Sequence, residues 1–158
     1  MTKHEFVELM KGDLKNEIKH MMFYLFASST VQGLGRVELQ EFLEESAKNE
    51  MEHVKQFTRF LIDLNGSTML PKAGNDFEVK LDPKEILEYA LHMEEEVLRN
   101  YTERLHHCDM LGGEDGTALR IFYEDQIMDS RTDANELRQM IAPYARTGLG
   151  GGYAQFHK

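Results

Sequence analysis

Glu50 and His53 stand three apart in Glu50-Met51-Glu52-His53, within a stretch that reads as one long helix. Residues at i and i+3 share a helix face. Leu39, Phe42, Leu43, Ser46, Phe57, Phe60 and Leu64 recur on the same face at threes and fours. The carboxylate and the imidazole therefore aim into an apolar seam. Burying them there is unfavourable unless a partner compensates them, and a metal ion is a partner that binds both. Two further acids fall on the seams of other helices, Glu17 and Glu94, each followed seven residues later by a tyrosine, Tyr24 and Tyr101. Seven residues is two turns, so each Tyr shares its face with a Glu. Three acids facing one core with no arginine among them would repel, which again points to a cation.

Four helical segments must position these groups. The first runs from about Lys3 to Gln32 and is broken by Gly33-Leu34-Gly35. The second runs from about Val37 to Leu64, with Asn65-Gly66 as a glycine stop. Residues 66–81 show no sustained period and read as loop. Asp82-Pro83-Lys84-Glu85 opens the third helix with an N-cap acid and a proline at the first helical position. Its inner stripe holds Leu87, Ala90, Glu94, Val97, Tyr101 and Leu105. Gly112-Gly113 precede the fourth helix, expected from Asp115 or Thr117, with Pro143 bending or ending it. Its expected stripe is Leu119, Phe122, Gln126, Asp129, Asp133, Leu137 and Met140.

Loop lengths set the topology. The short first and last connections make helices 1–2 and 3–4 antiparallel neighbours. The sixteen residues of the middle loop reach about 53–58 Å when extended. A helix of 28 residues is about 42 Å long, so the loop can travel the whole bundle. The expected fold is all-α: a four-helix bundle over residues 1–145 with one long crossover between helices 2 and 3. Residues 146–158 form a glycine-rich tail.

Composition narrows the function. The chain has 158 residues and a formal net charge of −10. That length supports one domain, and the charge disfavours nucleic acid as a partner. No apolar run approaches a membrane span. The first residues lack the basic start and apolar stretch of a signal peptide. Cys108 is the only cysteine, which excludes an intrachain disulfide framework and suits a cytoplasmic setting. His106-His107-Cys108-Asp109 reads as a solvated helix end rather than a site, and His4, His20 and His92 flank the stripes and read as surface.

These residues resemble the ferritin superfamily, and bacterioferritin most closely. Asn16-Glu17-Ile18 through Tyr24-Leu25-Phe26, Glu50-Met51-Glu52-His53, and Glu85-Ile86-Leu87 through Leu91-His92-Met93-Glu94 are similar to its first three helices. The resemblance implies that Glu50 bridges two metals, that Glu17 and Glu94 are terminal ligands, and that His53 ligates one metal. Tyr24 and Tyr101 read either as aromatic packing or as hydrogen-bond donors to ligand carboxylates. The fourth helix departs from the family pattern. Where the family carries a second Glu-x-x-His, this chain has Ser130 and Asp133, with Asp129 four residues before Asp133. Asp133 with Asp129 would complete the second position, Ser130 lying beside it. Met51 falls where bacterioferritins place a haem-ligating Met at a dimer interface; the same motif occurs in haem-free relatives, so haem is a minor alternative.

The expected activity is oxidation of Fe(II) by O2 or peroxide at an asymmetric di-iron or mononuclear site formed by Glu17, Glu50, His53 and Glu94. The chain would store or detoxify iron as a homo-oligomer, a cage among the options. The rival reading is a non-catalytic ferritin-like subunit with a degenerate metal site.

Overall fold

The computed structural model describes residues 1–65 and 76–147. They form four helices and, among the described residues, no strand: α1 (Lys3–Thr30), α2 (Arg36–Asn65), α3 (Pro83–Leu111) and α4 (Gly113–Thr147). Helix starts are chemically specified. Thr2 and Glu5 exchange hydrogen bonds in a capping box, Glu5 N to Thr2 Oγ1 at 3.1 Å and Thr2 N to Glu5 Oε2 at 2.7 Å. Asp82 caps α3 by accepting from Glu85 N at 3.2 Å, ahead of Pro83. Gly112 and Gly113 adopt φ of 67° and 66°, a region that favours glycine, and so turn α3 into α4 at once.

Side-chain pairings give the helix directions. Glu17 meets Tyr101 while Tyr24 meets Glu94, so α1 and α3 run antiparallel. His53 meets Asp129 while Gln56 meets Gln126, so α2 and α4 do too. Gln32 N donates to Leu81 O at 2.9 Å, which places the start of α3 beside the start of α2. The chain leaves α2 at its far end and must return to its beginning, as a ferritin-like bundle with a crossover between helices 2 and 3 requires. Residues 66–75 of that crossover, and the glycine-rich tail from residue 148 on, lie outside the described residues.

The core is two apolar clusters with a polar layer between them. One contains Phe6, Met10, Leu14, Phe57, Val97, Leu119 and Tyr123. The other contains Phe23, Leu43, Ile86, Leu87, Ala90 and Leu137. Glu17, Glu50, His53, Glu94 and Ser130 are buried in the layer. Three local expectations are corrected. The fourth helix begins at Gly113, and it runs through Pro143 to Thr147. Met140, Ile141 and Tyr144 pack against the second cluster, and that packing holds the last turns in place. Of the expected stripe, Leu119, Gln126 and Leu137 are buried, but Tyr123, Ser130 and Ala134 are buried as well, whereas Asp129 is exposed.

Candidate metal centre

All four helices contribute to the centre. α1 supplies Glu17, α2 supplies Glu50 and His53, α3 supplies Glu94, and α4 supplies Asp133. They fall into two groups that share one residue. Ligand atoms of Glu17, Glu50 and His53 lie within 4.8 Å of one another, and so do those of Glu50, Glu94 and Asp133. Glu50 stands between them, as a bridging carboxylate must. Among the described residues no other cluster of this kind occurs.

His53 is aimed by its own helix. Its Nδ1 lies 3.5 Å from Glu17 Oε2 and 3.4 Å from Glu50 Oε2, both long for a well-formed hydrogen bond. Its Nε2 lies 3.5 Å from Asp129 Oδ2. Glu50 Oε2 finds no hydrogen-bond partner although Glu50 is 3% exposed. The tyrosines cross between halves: the Tyr101 hydroxyl donates to Glu17 Oε1, and the Tyr24 hydroxyl donates to Glu94 Oε1 at 3.3 Å. Each Tyr serves the acid of the partner helix, not the one two turns away on its own. A cavity of about 100 Å³ adjoins Glu50 and Asp133 and is also lined by Tyr24, Ser46, Asn49 and Glu136. A wider groove of about 320 Å³ runs past His53, Asp129 and Asp133.

Without a cation the acids compete for protons. Burial pushes Glu50 well above the ordinary carboxylate range, and the charge on Glu17 adds to it. Burial also raises Glu94 to about 8, helped by Asp133 and opposed by a hydrogen bond from Ser130. Asp133 rises to about 6, chiefly by burial, against the attraction of His53. Burial would raise Glu17 as well, but His53 and the Glu50 carboxyl outweigh it and hold Glu17 at about 2. Burial disfavours the charged form of His53, yet Glu17 and Glu50 lift it to about 11. Of the two, Glu50 is the acid whose charged form is disfavoured, because it has other carboxylates on both sides.

The sequence-predicted residues are placed as follows. Glu17, Glu50, His53 and Glu94 come together with Asp133. Asp129 belongs to neither group; its side chain is 61% exposed and sits behind the His53 ring. Ser130 is buried beside Glu94. Met51 lies on the outside of α2, 44% exposed. His20 is corrected: it is buried, not surface, one turn from Glu17, and burial lowers its pKa. At the end of α3, Cys108 is buried and Asp109 is paired with Arg120 at 2.8 Å, so the His106-His107-Cys108-Asp109 run does not converge.

One buried network escaped the sequence reading. Arg104 forks onto Asp13, Nε to Oδ2 at 2.8 Å and Nη2 to Oδ1 at 2.9 Å. Tyr123 donates to the same Asp13 Oδ2 at 2.6 Å. Burial pushes Asp13 up, while the two-bond fork from Arg104 favours its charged form. The only available signal was position: Asp13 stands four residues before Glu17, on the same face.

Comparison with known proteins agrees with this architecture. The ferritin-like domain, as a family model, matches residues 7–146. Rubrerythrin of Clostridium perfringens (strain 13 / Type A) is 35% identical over 78 residues, 49% of this chain and 40% of that protein, so the match spans less than half of the relative. A ferritin-like, diiron-carboxylate protein from Bacillus anthracis str. Ames superposes with a TM-score of 0.74 at 26% identity, covering 88% of this chain and 96% of that one. Rhodobacter capsulatus bacterioferritin, solved with a metal-free dinuclear site and haem iron, gives 0.79 at 22% identity, covering 96% and 92%; at that identity the likeness is one of fold. Sequence and fold agree, and the chain belongs to the ferritin family, with the helix bundle of the bacterioferritins.

Proposed function

We propose that this chain binds Fe(II) between its four helices, oxidises it with O2 or peroxide, and stores or detoxifies the iron. The observation that carries the reading is Glu50, whose buried Oε2 has no hydrogen-bond partner and which belongs to both ligand groups. A buried acceptor left alone is destabilising, and the donor set around it suits iron: carboxylates with one imidazole. Glu17 and His53 would hold one ion, Glu94 and Asp133 the other, with Glu50 between them. Four carboxylates and a neutral imidazole balance two divalent charges. Each bound Fe(II) would give one electron to the oxidant.

The chain's own residues set up that chemistry. Tyr101 and Tyr24 hold Glu17 and Glu94 by one oxygen each, leaving the other oxygen free to ligate. Asp129 faces His53 Nε2 and fixes the ring with Nδ1 toward the acids. The described cavity and groove give small reactants room beside Glu50 and Asp133. Leu25 and Phe26 of α1 are 50% and 47% exposed, and Met51 of α2 is 44% exposed; such a surface suits a homo-oligomer. The dodecameric thioferritin of Bacteroides fragilis shares this fold with a TM-score of 0.78.

A second reading is favoured by Ser130 and Asp133, which stand where the family motif has Glu and His: a non-catalytic subunit with a degenerate site. Stopped-flow absorbance after mixing with two Fe(II) per subunit in air separates the two. A ferric rise well above the autoxidation rate supports the oxidase; a trace equal to autoxidation supports the subunit. Light scattering would give the assembly size.

A further inference from the structure

We infer that the two halves of the centre differ in cation selectivity: the Glu17–Glu50–His53 half favours Fe(II) over Mn(II) strongly, and the Glu50–Glu94–Asp133 half favours it much less, so that Mn(II) collects in the second half when both ions compete. This rests on the reading that the centre binds two divalent ions. It goes beyond that reading by giving each half its own selectivity.

The donor atoms differ. Around His53 the ligands are two carboxylates and one imidazole nitrogen. Around Asp133 they are three carboxylates and nothing else. Tyr24 holds Glu94 from one side, and Ser130 is hydrogen-bonded to it from α4, so the nearest additional groups are hydroxyls.

The cavity beside this half repeats the bias. Its lining offers the carboxylates of Glu45 and Glu136, the amide of Asn49 and the hydroxyl of Ser46, and no imidazole or sulfur. The Ser46 hydroxyl is already committed to Phe42 O at 2.9 Å. Any ligand added from this side is an oxygen of the protein or of water. His53, the one imidazole of the centre, has its second nitrogen turned to Asp129 and belongs to the other ligand group.

Imidazole raises the affinity of a site for Fe(II) more than for Mn(II), because affinity climbs with softer nitrogen donors along the first-row series. Removing nitrogen from one half narrows the iron advantage there, while the other half keeps it. When both ions are present, the arrangement of lowest free energy sorts iron to His53 and manganese to Asp133. The sorting comes from the difference between halves, so it does not require manganese to outbind iron at an isolated position.

The test uses wild-type crystals soaked anaerobically with equal Fe(II) and Mn(II), with anomalous differences collected on both sides of each K edge. The expected result is an Fe/Mn occupancy ratio several-fold higher beside His53 than beside Asp133, because only the His53 half offers a nitrogen donor. Equal ratios in the two halves, or a larger manganese share beside His53 than beside Asp133, would overturn the inference and leave the two-ion reading intact. No peak in either half would sink the two-ion reading itself. Asp133→His supplies the missing nitrogen and should raise the iron share in that half; an unchanged ratio there would show that ligand type does not set the choice.

Discussion

Asp129 Oδ2 lies 3.5 Å from His53 Nε2, on the ring edge opposite Glu17 and Glu50. In the proposed centre the carboxylate would orient the imidazole without itself being a ligand. Because its side chain is 61% exposed, Asp129→Ala should leave folding nearly unchanged, within about 0.5 kcal/mol. The same variant should weaken cation binding at the His53 position by about 10–100-fold. Asp129→Asn keeps an acceptor for Nε2–H and should recover part of the affinity. Calorimetric titration with Fe(II) under nitrogen measures both variants. An affinity unchanged in Asp129→Ala would remove Asp129 from the working centre.

The crossed tyrosines make a second test, with a direction. Tyr101 belongs to the helix of Glu94 but holds Glu17; Tyr24 belongs to the helix of Glu17 but holds Glu94. Tyr101→Phe should therefore weaken the His53 half, and Tyr24→Phe the Asp133 half. Each removes one buried hydrogen bond to a charged group, worth about 1.5–3 kcal/mol. Site-resolved occupancy in anomalous maps at limiting metal distinguishes them. Loss in the half that shares the helix of the mutated Tyr would reverse the assignment.

The same pairs show what the sequence could and could not reveal. Helical period put Glu17, Glu50, His53 and Glu94 on seams, because burial at threes and fours is a local property of one helix. Which Tyr meets which Glu is set by the antiparallel packing of α1 against α3, and no spacing within one helix encodes it. The fourth helix was harder for another reason. Asp129 and Ser130 are neighbours on a polar stretch, so a shift of one position in the stripe exchanges them. The structure buries Ser130 and exposes Asp129, with Tyr123 and Ala134 fixing that phase. Asp13 and Arg104 stayed hidden because a buried ion pair reads, one residue at a time, like two surface charges.

Proton competition predicts an opposite pH response for the metal-free and metal-bound chain. Glu94 is raised to about 8 and Asp133 to about 6. The folded chain therefore holds more protons than the unfolded chain above the ordinary carboxylate range, and stability falls as pH rises through these values. His53, raised to about 11, contributes stability that is complete below its ordinary value and lost as pH climbs toward 11. Glu17, held at about 2, acts in the other direction, its contribution disappearing only as pH falls toward 2. Melts of the chelator-treated protein should thus show Tm declining from pH 5 to pH 9. Bound cations replace those protons, so the increase in Tm on adding metal should grow over the same range. A metal-free Tm that rises across this interval would contradict the assigned protonation.

The last prediction separates the scaffold from the centre. Asp13 is 2% exposed and Arg104 is 8% exposed, joined by two bonds with Tyr123 as a third partner of the acid. Arg104→Leu strips the cation from a carboxylate that cannot reach water, so the loss should be about 3–5 kcal/mol. Removing both charges is a different operation. Asp13→Leu combined with Arg104→Met leaves the Tyr123 hydroxyl without its acceptor and the half-buried His107 Nδ1 without its Arg104 partner, but no buried charge, and should restore most of that stability. Urea unfolding of the two variants and the wild type, read by helical circular dichroism, gives the comparison. A double variant as unstable as Arg104→Leu would mean that the pair contributes through its shape and packing rather than by mutual neutralisation. The centre lies one turn away, through Glu17, which gives the experiment its second readout. If the double variant is stable and still binds Fe(II) with wild-type affinity, the ion pair holds the helices together and the carboxylates of the centre act independently of it.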